Sequence, residues 1–264
     1  MNNPLLSIIT INFNNAEGLR KTLESVRIQD DISYEHIIID GGSSDSSVQV
    51  IEEYLKDPVY SKHVTFWCSE KDKGIYNAMN KGIGHACGKY VYMLNSGDQL
   101  VPHILSFAFP YLEKNNDSVI YGAIDCYNGA TYEGTLCHKD SDLKTMMIPH
   151  QGSFVPLKIH NEYGLYDENF KIVADREFMV RIKKASVQFT HIPLIICIYD
   201  VSGISSQNSK LKDKENLIIS NSFISGEKIV TNKIIHIIRL LIEYILPGFI
   251  SIPLIRFISK KRHK

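Results

Sequence analysis

The sequence predicts an α/β domain in which helices cover the faces of a mostly parallel sheet. Two observations predict it. Over the first hundred residues, apolar runs of strand length alternate with segments whose apolar positions recur at helical spacing. Such alternation requires crossover connections between parallel strands. Two of those runs end on a carboxylate, Asp40 and Asp98, and in open α/β sheets ligands gather outside the carboxyl ends of strands.

Taken in order, Leu5 to Phe13 (LLSIITINF) is the first strand, and Asn14 or Asn15 caps a helix whose inward face is Leu19, Thr22, Leu23 and Val26. Tyr34 to Ile39 is the second strand. It runs into Asp40-Gly41-Gly42-Ser43-Ser44-Asp45, where the glycines permit a tight turn and Ser44 or Asp45 caps a helix carrying Val48, Ile51, Tyr54 and Leu55. One reading makes the whole cluster turn chemistry; the other keeps Asp40, at the strand's exit, for a ligand. Val64 to Cys68 is the third strand. Ile75, Ala78, Met79, Gly82, Ile83 and Ala86 then mark one face of a helix, with Gly88 placed to stop it. Lys89 to Leu94 (KYVYML) is a buried strand, and Asn95-Ser96-Gly97-Asp98 turns out of it. By itself that turn is only polar. An acid there can also hold a hard divalent cation against a diphosphate.

Beyond residue 100 the pattern is looser. Pro102 to Leu112 reads as a helix, Val119 to Tyr121 as a short strand, and Gly122 to about Thr145 as hairpin and loop suited to shaping an acceptor pocket. His150 lies in IPHQGSF, where a lone histidine is ordinarily a structural hydrogen-bonder. Asp175 precedes Phe178, Met179 and Ile182 at helical spacing, so it starts a helix and suits its dipole. Leu194 to Tyr199 is strand-like, and the polar loop Ser202 to Gln207 either closes over phosphates or simply links. From Ile234 an amphipathic segment leads to the basic end Ser259-Lys-Lys-Arg-His-Lys264. Its charges and prolines argue against a membrane span and for lying on an anionic leaflet. The alternative is a helical pair packed on the domain or on a second subunit. The expected division is a catalytic domain over 1–225, with halves 1–100 and 101–225, and a tail over 226–264.

Lys plus Arg (29) equals Asp plus Glu (29), so no overall field draws the chain to nucleic acid. The five cysteines are scattered without zinc or redox spacing, which suits reduced thiols in a cytoplasmic protein. The first strand begins too early to leave room for a signal peptide. No G-x-G-x-x-G follows that strand and no G-x-x-x-x-G-K-[ST] occurs, so dinucleotide and P-loop readings lack their phosphate cradle.

Five ordered segments, SIITINFNN, IIIDGGSSDSS, SEKDKGIYNAMNKGI, YVYMLNSGD and VADREF, resemble family-2 glycosyltransferases of the bacterial kind that build O-antigen or capsule repeat units. The resemblance covers roughly the first two hundred residues. It implies the GT-A fold, a Rossmann-like nucleotide-binding α/β/α sandwich, with the amphipathic tail appended. It also implies a UDP-sugar donor, Mn2+ or Mg2+, and an inverting displacement; the acceptor is suggested by the tail instead, a lipid-linked saccharide met at the cytoplasmic face of the inner membrane. Carried over by motif, Ile11 and Phe13 line the uridine pocket and Asp40 accepts a hydrogen bond from uracil. Asp72, Asn80 and Lys81 lie beside the nucleotide or donor sugar. Asp98 takes the last acidic position of the metal motif, preceded by Ser96 and Gly97, and Asp175 is the general base. His150 and Gln151 are placed to contact acceptor or phosphates. Two departures stand out: Ser96 replaces the first acid of the metal motif, and Ala174 replaces the first acid before the base. Competing readings are an inactive sugar-nucleotide-binding partner in a polysaccharide assembly complex, and a sugar nucleotidyltransferase. The latter would want a Gly-rich basic loop where this chain has Asn12-Phe13-Asn14-Asn15.

Overall fold

The computed structural model describes residues 3–30, 33–114, 117–140, 147–201 and 209–224. The expected loop Ser202 to Gln207 and the tail 226–264 lie outside them. The chain divides into two compact units, 1–216 and 217–264. Every described strand belongs to the first.

Four strands, β1 (Leu6–Asn12), β2 (Tyr34–Asp40), β3 (Val64–Ser69) and β4 (Tyr90–Asn95), form the parallel half of the sheet in the order β3-β2-β1-β4. Every residue of β1 and β2 is buried, as parallel strands covered on both faces must be. Side chains alternate between the faces with the strand period of two. Ile9 and Ile11 enter the layer that holds Met79 and Ile83 of α4 (Ile75–His85), whereas Leu6 and Ile8 enter the layer that holds Val26 of α1 (Ala16–Arg27). Each such side chain contributes about 1.5–3 kcal/mol by leaving water. The helix α2 (Ser47–Leu55) covers Ile38 from the α1 side through Val50 and Ile51, and the short α3 (Pro58–Ser61) leads into β3.

The second half is mixed. The strands β5 (Gln99–Leu100), β6 (Val119–Asn128), β7 (Thr131–Leu136), β8 (Ser153–Pro156) and β9 (Phe189–Asp200) continue the sheet as β4-β8-β6-β9-β5, with β7 paired to β6. β8 runs antiparallel to both β4 and β6, whereas β6 and β9 are parallel. Helices α5 (Ile104–Lys114), α6 (Leu157–Tyr163), α7 (Ala174–Lys184) and α8 (Ser209–Ile224) complete the described elements. The expected α/β sheet is present, with corrections in this half. The strand read as Val119 to Tyr121 continues to Asn128 because it forms a hairpin with β7. The strand read from Leu194 begins at Phe189, and β8 and α6 are additional elements.

Candidate active site

The register brings the exits of β2 and β4 to one rim. Asn12 at the end of β1 pairs with Asp40, and Ile11 pairs with Asn95. The turn after β4 is held from α1: Thr22 Oγ1 donates to the Asp98 carbonyl (2.7 Å) and accepts from Gly97 N–H (2.9 Å), while Leu100 N–H reaches Ser25 Oγ (3.0 Å). Gly97 has φ +106°, a conformation a side chain would strain. The turn delivers the Asp98 carboxylate into a buried site, 4% exposed, where it accepts Asp200 N–H at 3.2 Å and lies near the Gln151 side chain, which favours its charged form. Burial pushes the Asp98 carboxyl up to about 7, opposed by the nearby His150 and reinforced by the Asp200 charge. Asp200, at the end of β9, thus stands beside Asp98, its Oδ2 3.8 Å from where a Cβ on Gly97 would lie.

At the β2 exit the same residue type meets different surroundings. Asp40 is fully buried, and four donors fill its carboxylate: Asn12 Nδ2 (2.7 Å) and Ser43 Oγ (2.6 Å) on Oδ1, Ser43 N–H (2.9 Å) and Ser69 Oγ (2.6 Å) on Oδ2. Burial alone would raise this carboxyl, but the donors outweigh it and hold it below its ordinary value. A carboxylate has about four acceptor sites, and protein donors occupy that number at Asp40.

The third aspartate joins the first site. Asp175 sits in the first turn of α7, buried, with Tyr76 Oη donating to Oδ1 (3.0 Å) and His150 Nδ1 bonded to Oδ2 (2.8 Å). The Tyr76 hydroxyl is held well above its usual range by burial and by the Asp175 charge, so it remains a donor. On its other side His150 Nε2 meets Asn95 Nδ2 at 3.2 Å. His150 therefore links the α7 carboxylate to the turn that carries Asp98. The start of α7 is itself braced from a distance. No side chain of its own caps it, and Glu215 of α8 accepts the N–H groups of Lys171, Ile172 and Val173 at 2.8, 3.0 and 3.2 Å.

The other residues named from the sequence spread around this rim. Ile11 is buried in the core, whereas Phe13 is 60% exposed. Asp72 folds back so that Oδ1 accepts Gly74 N–H at 2.9 Å. Asn80 bonds the Tyr166 backbone and Glu168, tying α4 to the loop before α7. Lys81 pairs with Glu70 at 2.8 Å, and Ser96 Oγ and carbonyl both receive Asn15 Nδ2. Three participants escaped the sequence reading: Tyr76, Asn95 and Asp200. Asp200 carried a usable signal, an acid closing a strand, which is the same signal that singled out Asp40 and Asp98.

The sequence profile described as Glycosyl transferase family 2 matches residues 7–172. The chain belongs to that family. An uncharacterised glycosyltransferase of Mycobacterium tuberculosis is 34% identical over 219 residues, covering 77% of this chain and 78% of the relative. A PGL/p-HBAD biosynthesis glycosyltransferase of Mycobacterium bovis is 24% identical over 217 residues, covering 81% and 83%. Among solved structures, S. aureus TarS residues 1–349 in complex with UDP-GlcNAc superposes with TM-score 0.66 at 14% identity, covering 84% of this chain and 67% of that one. The mannosyltransferase PcManGT of Pyrobaculum calidifontis, in complex with GDP-Man and Mn2+, gives 0.65 at 14%, covering 86% and 66%. Against a longer TarS structure this family 2 glycosyltransferase spans 40% of the chain. At such identities the superpositions establish the GT-A fold.

The fold implies a divalent cation, and the chemistry of the Asp98 site fits one. Its donors are carboxylate oxygens, hard ligands suited to Mg2+ or Mn2+. Among the described residues no group of three His, Cys, Asp or Glu side chains gathers for a metal.

Proposed function

We propose that this glycosyltransferase moves a hexose or N-acetylhexosamine from a UDP-sugar, with inversion, onto an undecaprenyl-diphosphate-linked saccharide during assembly of a surface polysaccharide of the O-antigen or capsule kind. One observation supports the reading: His150 bonds Asp175 on one side and, on the other, Asn95 of the turn that leads to Asp98, so two carboxylates distant in the chain share one locality and can be assigned the diphosphate and the base. Neighbours solved with UDP-GlcNAc, UDP and GDP-Man support a nucleotide-sugar donor. The basic, amphipathic sequence of 226–264 supports docking at the cytoplasmic membrane surface, where a lipid-linked acceptor resides.

When bound at Asp98, Mg2+ or Mn2+ neutralises charge on the leaving diphosphate. The chain's own residues supply the rest. Tyr76 and His150 occupy two of the acceptor sites of Asp175 and fix its orientation, leaving lone pairs for the acceptor hydroxyl. As that oxygen bonds to the anomeric carbon and the bond to diphosphate breaks, its proton passes to Asp175. A single base and no covalent sugar–enzyme intermediate gives inversion.

Asp175→Asn is expected to lower transfer by about two to four orders of magnitude while donor binding, read by thermal shift, persists. Full transfer in that variant would remove Asp175 from the role of base. Donor turnover that is unchanged in excess chelator would remove the cation. Deleting 226–264 is expected to reduce activity on long-chain lipid acceptors more than on short soluble ones; equal loss on both would make the tail purely structural.

A further inference from the structure

We propose that Tyr132 and Asp125, on the hairpin of β6 and β7, form a platform for the second sugar of the acceptor, the one behind the sugar that is glycosylated. The proposal rests on the saccharide-acceptor reading above and states how long that acceptor must be. The sheet register draws a line outward from the Asp98 site. Asp200, beside Asp98, pairs with Tyr127 of β6, and Tyr127 pairs with Tyr132 of β7. Residues opposite one another on neighbouring strands project from one face, so the two tyrosines extend the row that Asp200 begins. Two strand spacings set Tyr132 about 10 Å beyond Asp200, too far for the reacting sugar itself and within reach of the next one.

What stands at that distance is an aromatic surface fixed in advance. Tyr132 is 52% exposed, yet its ring is held. It leans on Tyr127 with centroids 5.4 Å apart and planes at 59°, and its hydroxyl meets Thr135 Oγ1 at 2.7 Å. Thr135 Oγ1 in turn donates to Asp125 Oδ1. With the one proton of Thr135 spent there, Tyr132 is the donor of the first bond. Asp125, half-buried, has acceptor sites beyond the one that Thr135 fills. Ring and carboxylate together suit a pyranose, whose C–H face lies flat on an aromatic plane while hydroxyls at its edge donate to an acceptor-only group. An acyl chain would use the ring alone, and Asp125 would repel a phosphate. An acceptor of two or more sugars is itself the product of an earlier glycosyl transfer, so this enzyme acts after that step.

The test is transfer by the full chain to octyl monosaccharides and octyl disaccharides of glucose, galactose and their N-acetylated forms, from the matching UDP-sugars with Mn2+. Wild type is expected to favour its best disaccharide over its best monosaccharide by about ten- to a hundredfold in kcat/KM, the scale of one hydrogen bond to a charged group, and chiefly through KM. Tyr132→Ala and, separately, Asp125→Ala are each expected to bring the two kcat/KM values within about threefold of each other. Comparing two acceptors on one variant cancels any general loss of activity, and unfolding midpoints show that each variant is folded. A disaccharide preference kept in full by either folded variant overturns the proposal. So does a wild type that uses monosaccharides as well as disaccharides, which leaves the glycosyl-transfer reading standing. A wild type that glycosylates none of these saccharides overturns the saccharide-acceptor reading and this proposal with it.

Discussion

The carboxylates closing β2 and β4 lie on either side of β1, both buried, yet their surroundings pull them in opposite directions. Asp40 receives four donors drawn from β1, β3 and its own turn, and is held below its ordinary range. Asp98 receives Asp200 N–H, has Asp200 as a like-charged neighbour, and is pushed up to about 7 by burial. Burial and position in the sheet are shared; the count of donors is what differs. Asp40 has its acceptor sites filled and is a knot in the fold, whereas Asp98 keeps lone pairs for a further partner.

The largest expected effect tests the knot. Asp40→Ala would leave the donors on Asn12, Ser43 and Ser69 facing a void, and is expected to cost about 3–5 kcal/mol in urea unfolding, the scale for breaking a buried charged network. Asp98→Asn removes a carboxylate whose charged form burial disfavours, so metal-free stability at neutral pH is expected to be no lower than wild type, while transfer falls at least about a hundredfold. A stability loss in Asp98→Asn as large as that of Asp40→Ala would erase the distinction.

Acid should separate the two strands further. His36, wholly buried on β2, is lowered by burial to about 3. Its contribution is complete above the ordinary histidine value of 6.5 and is lost as pH falls toward 3. Asp98 in the metal-free protein runs the other way. Raised from 3.8 to about 7, it contributes fully below 3.8 and loses that contribution as pH rises through 7. Each slope is about 1.4 kcal/mol per pH unit, so the two oppose each other between pH 6 and 4. Stability measured against pH should show a flatter acid loss in His36→Gln and a steeper one in Asp98→Asn. His160, also lowered to about 3 by burial, deepens the acid loss in every variant. The brace on α7 gives a further test: Glu215→Ala is expected to cost about 1–3 kcal/mol, the desolvation penalty of unpaired donors. A transfer rate reduced more than donor affinity would place that loss at Asp175.

The parallel half was legible because its strands are continuous apolar runs and its helices keep a regular period. The mixed half was not, for local reasons. β8 has four residues and β5 two, too few for any period to register. Gly122 looks like a break in the sequence but is a close approach, since a Cβ there would lie 2.4 Å from the Leu194 carbonyl of β9. At the site, strand-end position identified Asp40 and Asp98 equally, and nothing in the sequence counts donors contributed by Asn12 and Ser69 from neighbouring strands. His150 did prove to be a hydrogen-bonder, but its partners are Asn95 and Asp175, each on a different element.

The reach of Glu215 back to residues 171–173 bears on where this protein can be shortened. Every described strand is complete by Asp200, so a fragment ending there would carry the whole sheet and pass for the enzyme by its strand content. It would lack the carboxylate that receives three main-chain N–H groups just ahead of α7. It would keep its strands, while the helix that carries Asp175 lost its mooring. The shortest useful catalytic fragment ends beyond Asn216, not at the last strand.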